Sequence, residues 1–152
     1  MSGETPRTAV ADTSVLLGAF NHRDQLHDAA VEALNMPRLL IVSPLVMAEL
    51  DYLLTSQAGE VVAVDAVTRL LALAGQGVVH FPAVDRQVYG EAEQVLRRYK
   101  GMRLGLADAV NIALAQRLPS PAILSFDGHY LQVAPRTERE PAIWVAPGPT
   151  RS

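Results

Sequence analysis

The chain has 152 residues, 49% of them hydrophobic, a formal net charge of −3 and no cysteine. That length fits one domain with a substantial core. The missing cysteine excludes disulfides, thiol catalysis and thiolate zinc sites, and the acidic balance argues against a protein that coats nucleic acid over a broad face.

In chain order, the first seven residues are polar and form no apolar signal region. Residues 8–11 predict a short buried strand, with a helix starting at Ser14. A second helix is expected over 24–34, where Leu26, Ala29, Ala30, Ala33 and Leu34 share an apolar face. Residues 38–42 read as a strand. Ser43-Pro44 is a helix start, since Ser caps free N–H groups and Pro suits the first turn. That helix runs to about Leu54. Residues 60–74 place Val61, Val64, Val67 or Thr68, and Leu71 at helical spacing, ended by Gly75-Gln76-Gly77. Residues 78–81 are a strand, 85–99 a helix with Val88, Ala92, Val95 and Leu96 inward, and 106–118 a helix stopped by Pro119. Strands over 122–126 and 143–145 complete the pattern. The Pro-rich tail from Pro147 is expected to be loose. The ordered core thus spans about residues 8–146.

Alternating strands and helices favour an α/β fold, a parallel sheet of four to five strands with helices on both faces. Sites in such sheets form at the carboxyl ends of strands. No apolar run approaches the roughly 20 residues that span a bilayer. A soluble cytoplasmic protein is expected.

Four acids stand out: Asp12 after Thr8-Ala9-Val10-Ala11, Glu49 within Pro44-Leu45-Val46-Met47-Ala48-Glu49-Leu50, Asp108 before an apolar helix, and Asp127 after Ala122-Ile123-Leu124-Ser125-Phe126. Carboxylates are rarely buried unless paired or bound to a cation. Four in apolar settings suggest one shared site compensated by a hard divalent cation, which prefers oxygen ligands. Each has a plainer reading. Asp12 sits at a helix N-terminus that Thr13 or Ser14 would cap. Asp108 is a first-turn acid, and Asn111 on the same face orients it, touches substrate or satisfies a backbone group. Asp127 is common at turns. His129 alone among the histidines lies near the inferred site, where a turn or surface role is the simpler one.

The only dense cations are Arg97, Arg98, Lys100 and Arg103. They read either as phosphate contacts or as a solvated helix end with Arg103 paired to a core acid. Two other site types fit less well. An aspartyl-nucleophile phosphohydrolase needs an acid where Ser14 stands. A receiver-like domain needs a late-strand Lys, whereas the one lysine, Lys100, falls in a helical segment. Retention of all four acids argues against a degenerate domain that only binds a partner.

The set resembles the PIN-domain family, and within it the VapC-type toxins of bacterial toxin–antitoxin modules. The matching residues are Asp12-Thr13-Ser14, then Ser43-Pro44 leading to Ala48-Glu49-Leu50-Asp51-Tyr52-Leu53. Gly105-Leu106-Ala107-Asp108-Ala109 with Asn111 follows, and then Ile123-Leu124-Ser125-Phe126-Asp127 with His129-Tyr130. The family usually has Thr at Ser125 and Phe at Tyr130. The resemblance implies one PIN-like domain over residues 1–152 and a metal-dependent endoribonuclease cleaving tRNA or rRNA. Asp12 and Asp108 would be the principal ligands of Mg²⁺, for which Mn²⁺ substitutes, and Glu49 and Asp127 the remaining catalytic acids. Ser14, Asn111, Ser125 and the basic cluster would support the site or substrate. It also implies a VapB-type antitoxin, DNA contact only through that antitoxin, and a homodimer. The alternatives are a PIN-type nuclease that is not a toxin, or an inactive PIN-like binding domain.

Overall fold

The computed structural model describes residues 5–134 and 142–147. The elements are β1 Thr8–Ala11, α1 Thr13–Phe20, α2 His27–Leu34, β2 Leu39–Ile41, α3 Pro44–Ala58, α4 Glu60–Gly75 and β3 Val79–His80. They continue with α5 Arg86–Arg98, α6 Leu106–Gln116, β4 Ala122–Ser125, a 3-10 turn Gly128–Gln132 and β5 Trp144–Pro147. All paired strands are parallel, in the order β3-β2-β1-β4-β5. This is the expected α/β architecture.

Strand alternation divides the core into two layers. Ala9, Ala11, Leu40, Ala122 and Leu124 face one layer, under α1 to α4. Val10, Ile41 and Ile123 face the other, built with α5 and α6. Helix α6 is buried from Ala109 through Ala115, as expected of a helix apolar on all sides. The chain order reverses at β1, whose neighbours are β2 and β4. A crevice beyond the strand ends is expected at such a point.

Several boundaries differ from the sequence reading. Helix α1 begins at Thr13, one residue early. Helix α2 begins only at His27, because Asp24 Oδ1 accepts from Leu26 N and holds that stretch in a turn. Helix α3 is capped by Ser43, which accepts from Leu45 N, and runs on to Ala58. It ends where Gly59 takes a left-handed φ of 98°. Helix α5 stops at Arg98, so Lys100 lies in a turn. The Pro-rich tail falls, from residue 148, outside the described residues.

The largest correction concerns α4. Its buried residues are Ala63, Ala66 and Leu70, whereas Val61 is 84% exposed and Val64 and Leu71 also face outward. Both stripes have helical spacing. The small alanines win the inner face because they let α4 pack closely on α3. Close approach also explains Gly18, where an added Cβ would meet Ala30 Cβ at 3.1 Å across the α1–α2 contact.

Candidate active site

Asp12 follows β1 and shares the orientation of Val10, while Ser125 ends β4 and shares that of Ile123. Alternation therefore sends both side chains toward α6. Asp12 is 5% exposed and Ser125 fully buried. Asp12 Oδ2 accepts from Ser125 Oγ at 2.7 Å and from Ser14 Oγ at 2.9 Å. With both hydroxyl protons on Asp12, the 3.2 Å approach of the two serines is a packing contact. Each serine also accepts a backbone N–H, Ser14 from Phe126 and Ser125 from Asp127. Ser14 thus braces β4 against α1 and does not cap its helix.

The other oxygen of Asp12 faces Asn111 and Tyr130. Asn111 Nδ2 donates to Asp12 Oδ1 at 3.3 Å and to the Tyr130 hydroxyl at 3.1 Å. Two acceptors facing one amide nitrogen fix the amide's orientation. The Asn111 carbonyl oxygen is buried with no donor among the described residues. The Tyr130 hydroxyl lies 3.1 Å from Asp12 Oδ1 and 3.0 Å from Asp108 Oδ1. Asp108 Oδ2 accepts from Gly105 N at 3.1 Å, across the first turn of α6.

These surroundings shift both titrating partners. Burial pushes the Asp108 carboxyl above its ordinary value. The charges of Asp12 and Asp127 add to the rise, while the Gly105 and Tyr130 hydrogen bonds oppose it. Burial, then the two carboxylates, raises the Tyr130 hydroxyl far above its ordinary value, so it remains a neutral donor.

Asp127 is partly buried and close enough for its charge to act on Asp108. Its Oδ1 accepts from His129 N at 2.9 Å, and His129 Nδ1 lies 3.1 Å away. This is the turn role for His129. Glu49 does not fit the buried expectation: it is exposed on α3, beside the buried line Val46, Leu50 and Leu54, and makes no hydrogen bond among the described residues. Asp51 is exposed, as the sequence suggested.

The basic cluster is exposed. Arg97 pairs with Glu93 at 3.1 Å, and Arg98 stacks over the Tyr99 ring at 5.5 Å. Arg103 was a candidate for a core ion pair. It is instead exposed, has no ion pair among the described residues, and holds a positive φ of 58°.

Among the described residues, no three or more His, Asp and Glu side chains gather as a ready metal cluster. Asp12 and Asp108 are the linked carboxylate pair. Mg²⁺ typically takes one or two carboxylates and keeps several waters. An all-oxygen pair with an orphaned buried acceptor beside it fits that ion and not a soft one.

Tyr130 is the residue whose importance the sequence reading missed. It is 1% exposed and, among the described residues, its hydroxyl is the side-chain group within hydrogen-bond distance of both acids. The available signal was that a buried tyrosine needs a partner for its hydroxyl.

The PIN domain family profile matches residues 9–135. Ribonuclease VapC26 of Mycobacterium tuberculosis (strain ATCC 25618 / H37Rv) is 35% identical over 119 residues, which cover 78% of this chain and 85% of the relative. Among solved structures, Mycobacterium tuberculosis VapC20, a Sarcin-Ricin loop cleaving toxin, superposes with a TM-score of 0.67 at 23% identity. That match covers 76% of this chain and 86% of the other. VapBC2 from Rickettsia felis, bound to a DNA fragment from its promoter, gives 0.59 at 16% identity, covering 91% and 96%. The two structural likenesses speak to the fold, and the profile and the 35% identical relative to descent: the chain belongs to the PIN-domain family, as a VapC-type member.

Proposed function

We propose that this chain is a metal-dependent endoribonuclease toxin of a VapBC-type module, acting in the cytoplasm. The observation that carries the reading is the buried, hydrogen-bonded Asp12 facing the same hydroxyl as Asp108. The ribonuclease relative and the toxin-like fold support it. No helix among the described residues is long and apolar enough to cross a membrane.

Mg²⁺, or Mn²⁺ in its place, would be held by Asp12 and Asp108, and supplies charge stabilisation at the phosphate and a lowered pKa for water. The chain does the rest. Ser14, Ser125 and Asn111 fix the Asp12 carboxylate, and the Gly105 N–H fixes Asp108. Asp127 and Glu49 serve as further acids, acting directly or through water. Water adds to the phosphorus, the bond to the leaving ribose oxygen breaks, and that oxygen takes up a proton. Arg97, Arg98, Lys100 and Arg103 offset the acidic site for a polyanion. The substrate is a structured RNA, tRNA or rRNA. A VapB-type antitoxin neutralises the site and provides the contact with DNA, and the toxin is a homodimer.

Brief expression of wild type and of Asp12→Asn, followed by sequencing of RNA ends, tests this. Discrete new ends and growth arrest with wild type alone are expected, with growth restored by the antitoxin. No new ends from soluble wild type supplied with Mg²⁺ would refute it. Light scattering tests the dimer, which a one-chain mass at micromolar concentration contradicts.

A further inference from the structure

We infer that Tyr130 is a positioning residue for the divalent cation, the element that keeps Asp12 and Asp108 aligned before a cation arrives. This rests on the metal reading above. Asp12 comes from the end of β1 and Asp108 from the first turn of α6. They belong to separate elements and repel each other. Among the described residues, the Tyr130 hydroxyl is the side-chain group within hydrogen-bond distance of both, at 3.1 Å and 3.0 Å. Asp12 keeps three other donors if that hydroxyl is lost: Ser14, Ser125 and Asn111. Among the described residues, Asp108 keeps only the Gly105 N–H on its far oxygen. The hydroxyl therefore matters most for where Asp108 Oδ1 stands relative to Asp12.

A donor between two acids is either a clamp or a competitor of the cation, and lone-pair counting decides. A carboxylate has about four acceptor sites, two on each oxygen. Asp12 Oδ2 is filled by the two serines, and Asn111 fills one site on Oδ1. The hydroxyl carries one proton, which goes to one acid at a time. Donated to Asp108, it leaves one free site on Asp12 Oδ1 and one on Asp108 Oδ1, the two oxygens that face each other across it. A cation held by Asp12 and Asp108 would then find these sites free of protein donors and the pair already in place. Asn111 Nδ2 donates to the hydroxyl oxygen at 3.1 Å while also reaching Asp12 Oδ1, which ties the hydroxyl's position to that of Asp12. Preorganisation of this kind raises affinity by removing a reorganisation cost.

The test is Mn²⁺ binding by calorimetry to the full chain: wild type, Tyr130→Phe, and a protein with para-aminophenylalanine at 130, which restores a donor. Tyr130→Phe is expected to keep the wild-type circular dichroism spectrum and to bind Mn²⁺ about tenfold more weakly. The aminophenylalanine protein should recover most of that loss. Ile123→Val, a destabilising change in the same core layer that leaves the hydroxyl alone, should keep wild-type affinity. Equal or tighter binding by Tyr130→Phe overturns the inference, because the hydroxyl would then be a filler or a competitor. So does weakening by Ile123→Val of the same size. If Tyr130→Phe fails to fold, the aminophenylalanine protein decides, wild-type-like affinity supporting the clamp and lost affinity overturning it. Wild type that binds no Mn²⁺ overturns the metal reading and this inference together, an outcome distinct from the others.

Discussion

Ser125 donates its hydroxyl proton to Asp12 at 2.7 Å, joining the end of β4 to the end of β1. The same oxygen accepts from Asp127 N at 2.8 Å, so one buried hydroxyl orders two acids at once. Ser125→Ala removes a donor to a carboxylate and leaves a backbone N–H unpaired, a loss of about 1–3 kcal/mol. In a chain of this size each kcal/mol corresponds to roughly 2–4 °C in Tm. Ser125→Thr keeps the hydroxyl and should retain most of the stability. Thermal melts of the two variants decide, and an Ala variant as stable as wild type contradicts the bracing role.

Asp12→Asn and Asp108→Asn each remove a charge from the proposed cation pair and retain its shape. Both should fold, and both should lose Mn²⁺ affinity by more than the roughly 10–100-fold that loss of an outer hydrogen-bond partner causes. RNA cleavage should fall to the assay background. Full cleavage by either variant, or by wild type in excess chelator, would show that the pair holds no essential metal.

Without a cation, Asp108 should be a source of instability at neutral pH. Its folded-state pKa is raised, chiefly by burial. A raised acid contributes stability fully below its unfolded value, near 3.9 for Asp, and that contribution is lost as pH rises through the folded value. In chelator, Asp108→Asn should therefore melt higher than wild type at neutral pH. The difference should shrink as pH falls toward the ordinary carboxylate range. Parallel melting curves at all pH values would contradict the shift.

Arg103 separates strain from charge. An L-residue in the left-handed region costs roughly 1–2 kcal/mol, which glycine avoids. Arg103→Gly should raise stability by up to about 1 kcal/mol after glycine's own entropic cost, while weakening RNA binding. Arg97→Ala with Arg98→Ala should weaken binding alike for many sequences and reduce the salt slope by roughly one for each phosphate no longer neutralised. Unchanged affinity and slope in both would assign the cluster to a solvated helix end.

The sheet, the helix order and the Ser43 cap were legible because period, turn chemistry and capping agree locally. The outward stripe of α4 was not, since Val61, Val64 and Leu71 have the same spacing as Ala63, Ala66 and Leu70. Only the closeness of α3 selects between the two sets. The Asp12–Asp108 relation was readable as two acids at element ends. Its geometry was hidden because the hydroxyl facing both acids belongs to Tyr130, a position where the resemblance leads one to expect Phe. Glu49 looked buried because its neighbours are apolar, yet it stands roughly 100° around the helix from the buried Leu50.

The parts of the site are far apart in the chain: Asn111 reaches back across 99 positions to Asp12, Ser125 across 113 and Tyr130 across 118. Synthesis delivers Asp12 and Ser14 early and Asn111, Ser125 and Tyr130 long after. Until those residues are made, a growing chain holds that acid with Ser14 alone, without Asp108 and without the Tyr130 hydroxyl. Fragments that end before Asp108 therefore carry Asp12 and Ser14 without the rest of the network.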